Sequence, residues 1–277
     1  MNRLSQQERR AQRTASWLLA LPLLASHLAI GQQQSLHPAV DPSGHLTANQ
    51  FVRDIGADFA GLFSTHSIIP LGAGAAAYGL ATIPEQDMER HFARGDLWGA
   101  WADPGKYIGH PIAIGGAAVS LFAISRKSKN VKFRSFSYSL VQGMIMDAPF
   151  TYLLKPATHR LRPNGLDHLS FPSGHSVDTF MFATVVTQHY GWEAGIPAYA
   201  LAAYVSATRL EERKHHLTDV VGGAAIGVLV GRTVSRHIHG GGASRFSWQV
   251  IPNRRGFTAA VQIPLGIRSN PTSCQPD

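Results

Sequence analysis

The sequence predicts an all-α protein, a six-helix bundle that carries a short β-hairpin near its C-terminal end. Six apolar or helix-patterned stretches follow one another between Phe59 and Arg236. Small residues recur within them, as in Gly115-Gly116-Ala117-Ala118 and Gly222-Gly223-Ala224-Ala225, which suits close approach between helices. Beyond them Phe246, Trp248 and Val250 alternate with polar residues, and Phe257, Ala259, Val261 and Ile263 alternate again after Pro252–Gly256. That period of two predicts a hairpin closed by a five-residue loop.

Taken in order, residues 1–31 read as a signal peptide or an N-terminal anchor. Arg3, Arg9, Arg10 and Arg13 precede an apolar run from Ala15 to Ile30, with Ala29 and Gly31 before Gln32-Gln33-Gln34. This is the layout of an export leader, and the run is also long enough to stay as an anchor. Residues 32–58 are turn-rich (His37-Pro38, Asp41-Pro42-Ser43-Gly44) and read as a linker. The bundle occupies 59–236. Its first segment, Phe59–Ile83, is interrupted by His66 and Pro70, and residues 84–107, with Trp98 and Trp101, form a polar surface or interfacial excursion. Segments Tyr107–Ile124 and Phe136–Leu154 flank a basic loop of Arg126, Lys127, Lys129, Lys132 and Arg134. Helical stretches then cover Ser176–Tyr190, Gly195–Thr208 and Thr218–Arg236. Residues 237–277 hold a Gly- and His-rich linker, the hairpin and a tail; His237 and His239 read as linker surface rather than metal ligands.

The chain of 277 residues has 25 Lys+Arg against 17 Asp+Glu, a formal charge of +8. An anionic partner is the functional reading of that excess, and arginines flanking apolar segments are the bland one. Nucleic acid is disfavoured, because neither zinc-finger spacing nor an aromatic-basic repeat is present. Cys274, the single cysteine, has no partner for an internal disulfide.

Three clusters between Lys155 and Asp219 carry chemistry. Lys155 ends an apolar helix that Pro156 is expected to stop, and Arg162 precedes Pro163, which holds the arginine in extended backbone. An ammonium and a guanidinium near one loop suit phosphate oxygens, the second in a bidentate way. Pro172-Ser173-Gly174-His175 leads into a helix expected to begin near Ser176. Its first amides and the Ser173 hydroxyl would face an anion, with Gly174 allowing close approach. In the third cluster Arg209 closes a helix, and His215 and Asp219 stand four apart at the start of the next. On one helix face Asp219 is placed to accept a hydrogen bond from one ring nitrogen of His215, freeing the other to attack phosphorus. His216, three residues from Asp219, fits the same face.

Together these residues resemble the type 2 phosphatidic acid phosphatase family, whose site is shared with bacterial acid phosphatases and vanadium haloperoxidases. The family pattern is Lys, six residues, Arg-Pro; Pro-Ser-Gly-His; and Ser-Arg, five residues, His, three residues, Asp. It is matched by Lys155, Arg162-Pro163, Pro172-Ser173-Gly174-His175, Arg209, His215 and Asp219, with Thr208 replacing the usual serine and keeping its hydroxyl. The motifs cover 155–219. The resemblance implies a phosphatidic-acid-phosphatase-type bundle and a metal-independent phosphatase working through a phosphohistidine. In it His215 (not His216) is the nucleophile oriented by Asp219, and His175 is the acid and then the base. Lys155, Arg162, Ser173, Gly174 and Arg209 hold the phosphate. No metal or other cofactor is implied, vanadate entering only in the haloperoxidase alternative; a non-catalytic envelope protein is the third class. The expected substrates are phosphate monoesters or diphosphates, on a lipid such as phosphatidate or a polyprenyl diphosphate, or on a small organic ester. Activity is expected to peak on the acid side of neutral.

Topology divides two ways. The positive-inside rule puts the basic loop in the cytoplasm and the three clusters outside, whereas a cleaved leader followed by three crossings puts the clusters in the cytoplasm. Either the leader is retained, or some segments do not cross. Gln142, Asp147, Asp178 and Gln188 weaken two of them. The chain is therefore expected in the cell envelope, exported, with an extracytoplasmic site, as an integral membrane protein or a soluble one.

Overall fold

The computed structural model describes residues 48–64, 67–93, 99–236, 247–253 and 256–262. The leader, Trp98, the His237/His239 pair, Phe246 and Cys274 lie outside these. Among the described residues are nine α-helices: α1 (Ala48–Leu62), α2 (Ile68–Ala81), α3 (Glu85–Phe92), α4 (Asp103–Ile108), α5 (Pro111–Ser125), α6 (Val131–Thr158), α7 (Gly174–Tyr190), α8 (Trp192–Glu211) and α9 (Leu217–Val234). The six expected helices correspond to α2 and α5–α9.

Helix α1 begins inside the stretch read as a linker. Its pattern is carried by sparse apolar residues: Leu62 is buried, Phe59 packs on the core, and Phe51 meets Tyr138 edge-on at 5.7 Å. Phe59–Ile83 is therefore two helices rather than one interrupted segment. Pro70 does not break α2, because it sits in the first turn, where its missing N–H leaves no intrahelical bond unmade. The excursion 84–107 contains α3, a 3-10 turn at Gly99–Trp101 and α4. Lys132 and Arg134 belong to α6, whose start is capped by the Asn130 side chain accepting from the Phe133 N–H at 3.1 Å. Pro156 does not stop α6 either; the helix continues to Thr158 and ends at His159 in the left-handed conformation (φ 45°). The carbonyl freed by Pro156 is that of Tyr152, which is exposed and can bond to water.

Helix α7 is the centre of the packing, with α6, α8 and α9 against it. Its seam with α6 is antiparallel: Phe136 meets His189, Met181 covers Gly143, and Thr151 faces Gly174. Met146, Met181, Val185 and Val230 form the innermost core. Helix α9 lies unusually close to α7. A Cβ on Gly223 would stand 2.7 Å from the Ser173 carbonyl oxygen, and one on Gly227 2.3 Å from that of Val177, so the small-residue stripe does let two backbones touch. The other stripe does not: a Cβ on Gly116 would meet nothing within 4 Å.

Residues 239–277 form a separate unit. In it β1 (Ser247–Asn253) pairs antiparallel with β2 (Gly256–Gln262), Trp248 opposite Val261 and Val250 opposite Ala259. Pairing continues to Asn253 opposite Gly256, so two residues, not five, separate the strands; the ladder takes in Pro252 and shortens the expected loop.

Candidate active site

The three clusters are spread over residues 155–219, and the ends of α6, α7, α8 and α9 bring them together. Lys155, in the last turn of α6, donates from Nζ to the carbonyls of Leu169 and Pro172, both at 2.9 Å, which leaves one of its three donors for an anion. Burial and then Arg162 lower its pKa to about 8, against the pull of Asp219, Asp167 and Asp178. Arg162 is steadied by Asp167, Nε to Oδ1 at 2.7 Å, and by the Lys214 carbonyl on Nη1. Arg209 is almost fully buried at the end of α8; its Nη2 reaches Thr208 Oγ1 and Glu212 Oε1, both at 3.0 Å. The threonine that replaces the usual serine thus still holds the arginine.

Helix α7 starts at Gly174, two residues before the expected boundary, with Ser173 as its extended N-cap. The first intrahelical bond is Val177 N–H to Ser173 O at 3.0 Å, so the Gly174, His175 and Ser176 amides lie ahead of it. Ser173 Oγ accepts from Ser176 Oγ at 3.0 Å rather than capping the helix. His175 Nε2 donates to the Lys106 carbonyl at 3.3 Å. A Cβ on Gly109 would stand 2.9 Å from its ring, and one on Gly105 2.5 Å from Thr208 Oγ1. Two glycines one turn apart therefore seat α4 against His175 and the support of Arg209. Burial first, then Arg209, brings the His175 pKa down to about 4. His175 is therefore neutral near pH 7, so the protonated form that the acid-side optimum assumed is not preformed.

His215 departs from expectation in a second way. It precedes α9 instead of sharing a helical face with Asp219, and its Nδ1 stands 3.8 Å from Asp219 Oδ2, too far for a hydrogen bond. The Ser170 carbonyl, at 2.7 Å from Nδ1, takes that role. A carbonyl only accepts, so Nδ1 carries the proton and Nε2 keeps its lone pair. Burial lowers the His215 pKa, Asp219 opposes this, and Lys155 and Arg162 reinforce it.

Asp219 is fully buried and already committed. It accepts from Arg160 Nη1 at 2.6 Å, from the Ser170 hydroxyl and from the His216 N–H at 2.8 Å. Although burial raises its pKa, His215 and Arg160 outweigh that and hold it at about 2. Asp219 therefore shapes the turn, and Ser170 links it to the histidine. Sequence reasoning missed Arg160, Ser170, Glu85 and Glu89. Arg160, two residues from Arg162 in the same loop, was within reach of it; Glu85 and Glu89 gave no local signal. Glu85, Glu89 and His216 bring ligand atoms within 4.8 Å of one another, but all three are engaged in hydrogen bonds to protein groups.

All the residues expected to act are electrostatically coupled. His175 feels Arg209 and His215, and His215 feels Lys155, Arg162 and Asp219. Such a nest of cations around two histidines has the chemistry to hold an oxyanion. Residues 136–240, which run from within α6 to just beyond α9, match the model of the PAP2 superfamily. A lipid A 1-phosphatase of Porphyromonas gingivalis is 30% identical over 118 residues, which are 42% of this chain and 26% of that protein. The chain thus matches only about a quarter of that relative's length. A transmembrane PAP2-type phosphatidylglycerolphosphate phosphatase from Bacillus subtilis aligns over 71% of this chain and 98% of its own, at 20% identity and a TM-score of 0.35.

Proposed function

We propose that the chain is a metal-independent phosphatase of the PAP2 type that acts on lipid phosphates through a phosphohistidine. The observation that carries the reading is the fixed tautomer of His215: Nδ1–H is tied to Ser170, and Nε2 is left nucleophilic in the field of Lys155 and Arg162. Nε2 attacks phosphorus and the bond to the leaving oxygen breaks. His175 passes its proton to that oxygen. Water then attacks phosphorus as His175 takes a proton from it, the P–N bond breaks, and phosphate and free His215 result. Throughout, the three cations and the first amides of α7 hold the equatorial oxygens.

The low pKa of His175 fits this order of events. A phosphate dianion beside His175 and Arg209 offsets the two causes that depress it, so the acid is charged only when substrate is bound. A lipid substrate is supported by the lipid A 1-phosphatase match and by apolar side chains left exposed on α2 and α5, which also suit a membrane-associated protein.

The test is phosphate release from phosphatidate, a polyprenyl diphosphate and an aryl phosphate, in detergent with EDTA. His215→Ala should lower kcat at least ~1000-fold, as loss of a nucleophile does, while His216→Ala keeps measurable turnover. Bromide oxidation with vanadate and peroxide, without phosphate release, would overturn the reading.

A further inference from the structure

We propose that α3, which lies outside the family segment, is a working part of the phosphoryl-transfer centre: Glu85 and Glu89 are positioning residues for the turn that bears His215. This rests on the phosphatase reading for its catalytic consequence, though not for its geometry.

Glu85 acts at the start of α9. Its Oε2 accepts from the Thr218 N–H at 2.8 Å and from the Thr218 hydroxyl. The Thr218 N–H is one of the amides that the helix cannot satisfy internally. A carboxylate from another helix thus caps α9, in the place where its dipole favours negative charge. Glu85 Oε1 accepts from Arg160 Nη2 at 2.7 Å, while Arg160 Nη1 reaches Asp219 and Thr218, both at 2.6 Å. One planar guanidinium is therefore held between two carboxylates, and its fork sets the distance from α3 to Asp219. Only arginine offers donors in that shape. The three side chains are 16%, 27% and 0% exposed for Glu85, Arg160 and Asp219, so solvent screening is weak.

Glu89, one turn along α3, grips the other end of the turn. Its carboxylate meets His216 Nδ1, and His216 Nε2 lies 2.8 Å from the Leu161 carbonyl. His216 also gives its backbone N–H to Asp219. The residue beside the proposed nucleophile is thus fixed at its backbone by Asp219, on one ring edge by α3 and on the other by the Arg160–Arg162 loop. Met88, Glu89 and Phe92 complete the arrangement by lining a small pocket that reaches His215. None of these contacts is made to the side chains proposed to bind phosphate, Lys155, Arg162 and Arg209, and Arg162 meets this turn only through the long bond from Nη1 to the Lys214 carbonyl, so the main effect belongs to alignment of Nε2 rather than to substrate affinity.

Hydrogen–deuterium exchange of residues 214–220 and steady-state kinetics on the full chain separate the two layers. The variants are Glu85→Gln, Glu85→Asp and Glu89→Gln, with His215→Ala as the inactive control. Glu85→Gln and Glu89→Gln should speed exchange in this segment by roughly 10-fold and lower kcat by about 10-fold, with KM changed less than ~2-fold; Glu85→Asp should recover part of both. Unchanged exchange in both Gln variants overturns the proposal. So does faster exchange with wild-type kcat, which would reduce α3 to a structural contact. If the wild type releases no phosphate from any substrate but exchange responds as expected, the placement by α3 stands and the phosphatase reading is what fails.

Discussion

Lys155 is the site residue whose charge is least secure. Burial, and then the neighbouring Arg162, bring Lys155 down to about 8. Its proposed work requires the ammonium form, so kcat/KM should fall as pH rises through about 8 in the free enzyme. A bound phosphate favours the charged lysine, so the corresponding limb in kcat should lie at higher pH. Lys155→Arg should remove the alkaline limb of kcat/KM, at the cost of a lower plateau, because a guanidinium does not fit between the Leu169 and Pro172 carbonyls as an ammonium does. A limb unmoved in this variant would assign the titration to another group. The residue scale also shows why proximity in sequence misled. The spacing of His215 and Asp219 suggested a direct pair, but the helix begins two residues after His215, and the real acceptor, Ser170, is 45 residues away.

At the scale of elements, the α6–α7 seam supports the site from below. One turn beneath Thr151 and Gly174, the seam buries Asp147 and Asp178, which are 2% and 4% exposed. Burial raises both pKa values; the neighbouring Asp178 carboxylate raises that of Asp147 further, while Lys155 opposes the rise at Asp178. A carboxyl group whose pKa is raised by folding holds its proton in the native state and loses it in the unfolded one. The seam is therefore favoured at low pH, and its stability is lost as pH rises from the ordinary carboxylate range through the raised values. Asp147→Asn keeps the shape and cannot ionise, so it should raise Tm at pH 8 by several degrees and by little at pH 5. A variant that melts below wild type at both values would show instead that the buried charge is needed. Neither carboxylate was assigned a role from sequence, where both read only as polar residues that weaken apolar segments. Helical periodicity locates a face, but does not show that another helix covers it.

For the whole molecule, the bundle and the cluster of cations and histidines at its helix ends were legible because their signals are local: apolar runs of helical length and three short clusters. Helix α1 was not, because its apolar residues are sparse, and α3 was not, because its contacts reach 75 to 133 residues along the chain. What sequence left divided was the relation to the membrane. Among the described residues α9 alone is long and apolar enough to cross a bilayer by length and composition, and most of it is buried in the bundle. Helices α2 and α5 contain no charged residue, yet carry Ile69, Leu80, Ile112 and Val119 exposed by 60–78%. At 14 and 15 residues they are roughly 21 and 23 Å long, short of a hydrocarbon core of about 30 Å. Arg126, Lys127 and Lys129 follow α5 directly, and basic residues beside an apolar face are drawn to anionic headgroups. Apolar faces of this size need a cover, and a lipid surface meets both features at once. The purified protein should float with vesicles containing anionic lipid. Ile69→Asp with Ile112→Asp should weaken flotation at every salt concentration, whereas exchange of the three basic residues for Gln should weaken it chiefly at low salt. Equal recovery of wild type and both variants in the vesicle-free fraction would mean that these faces are covered by protein.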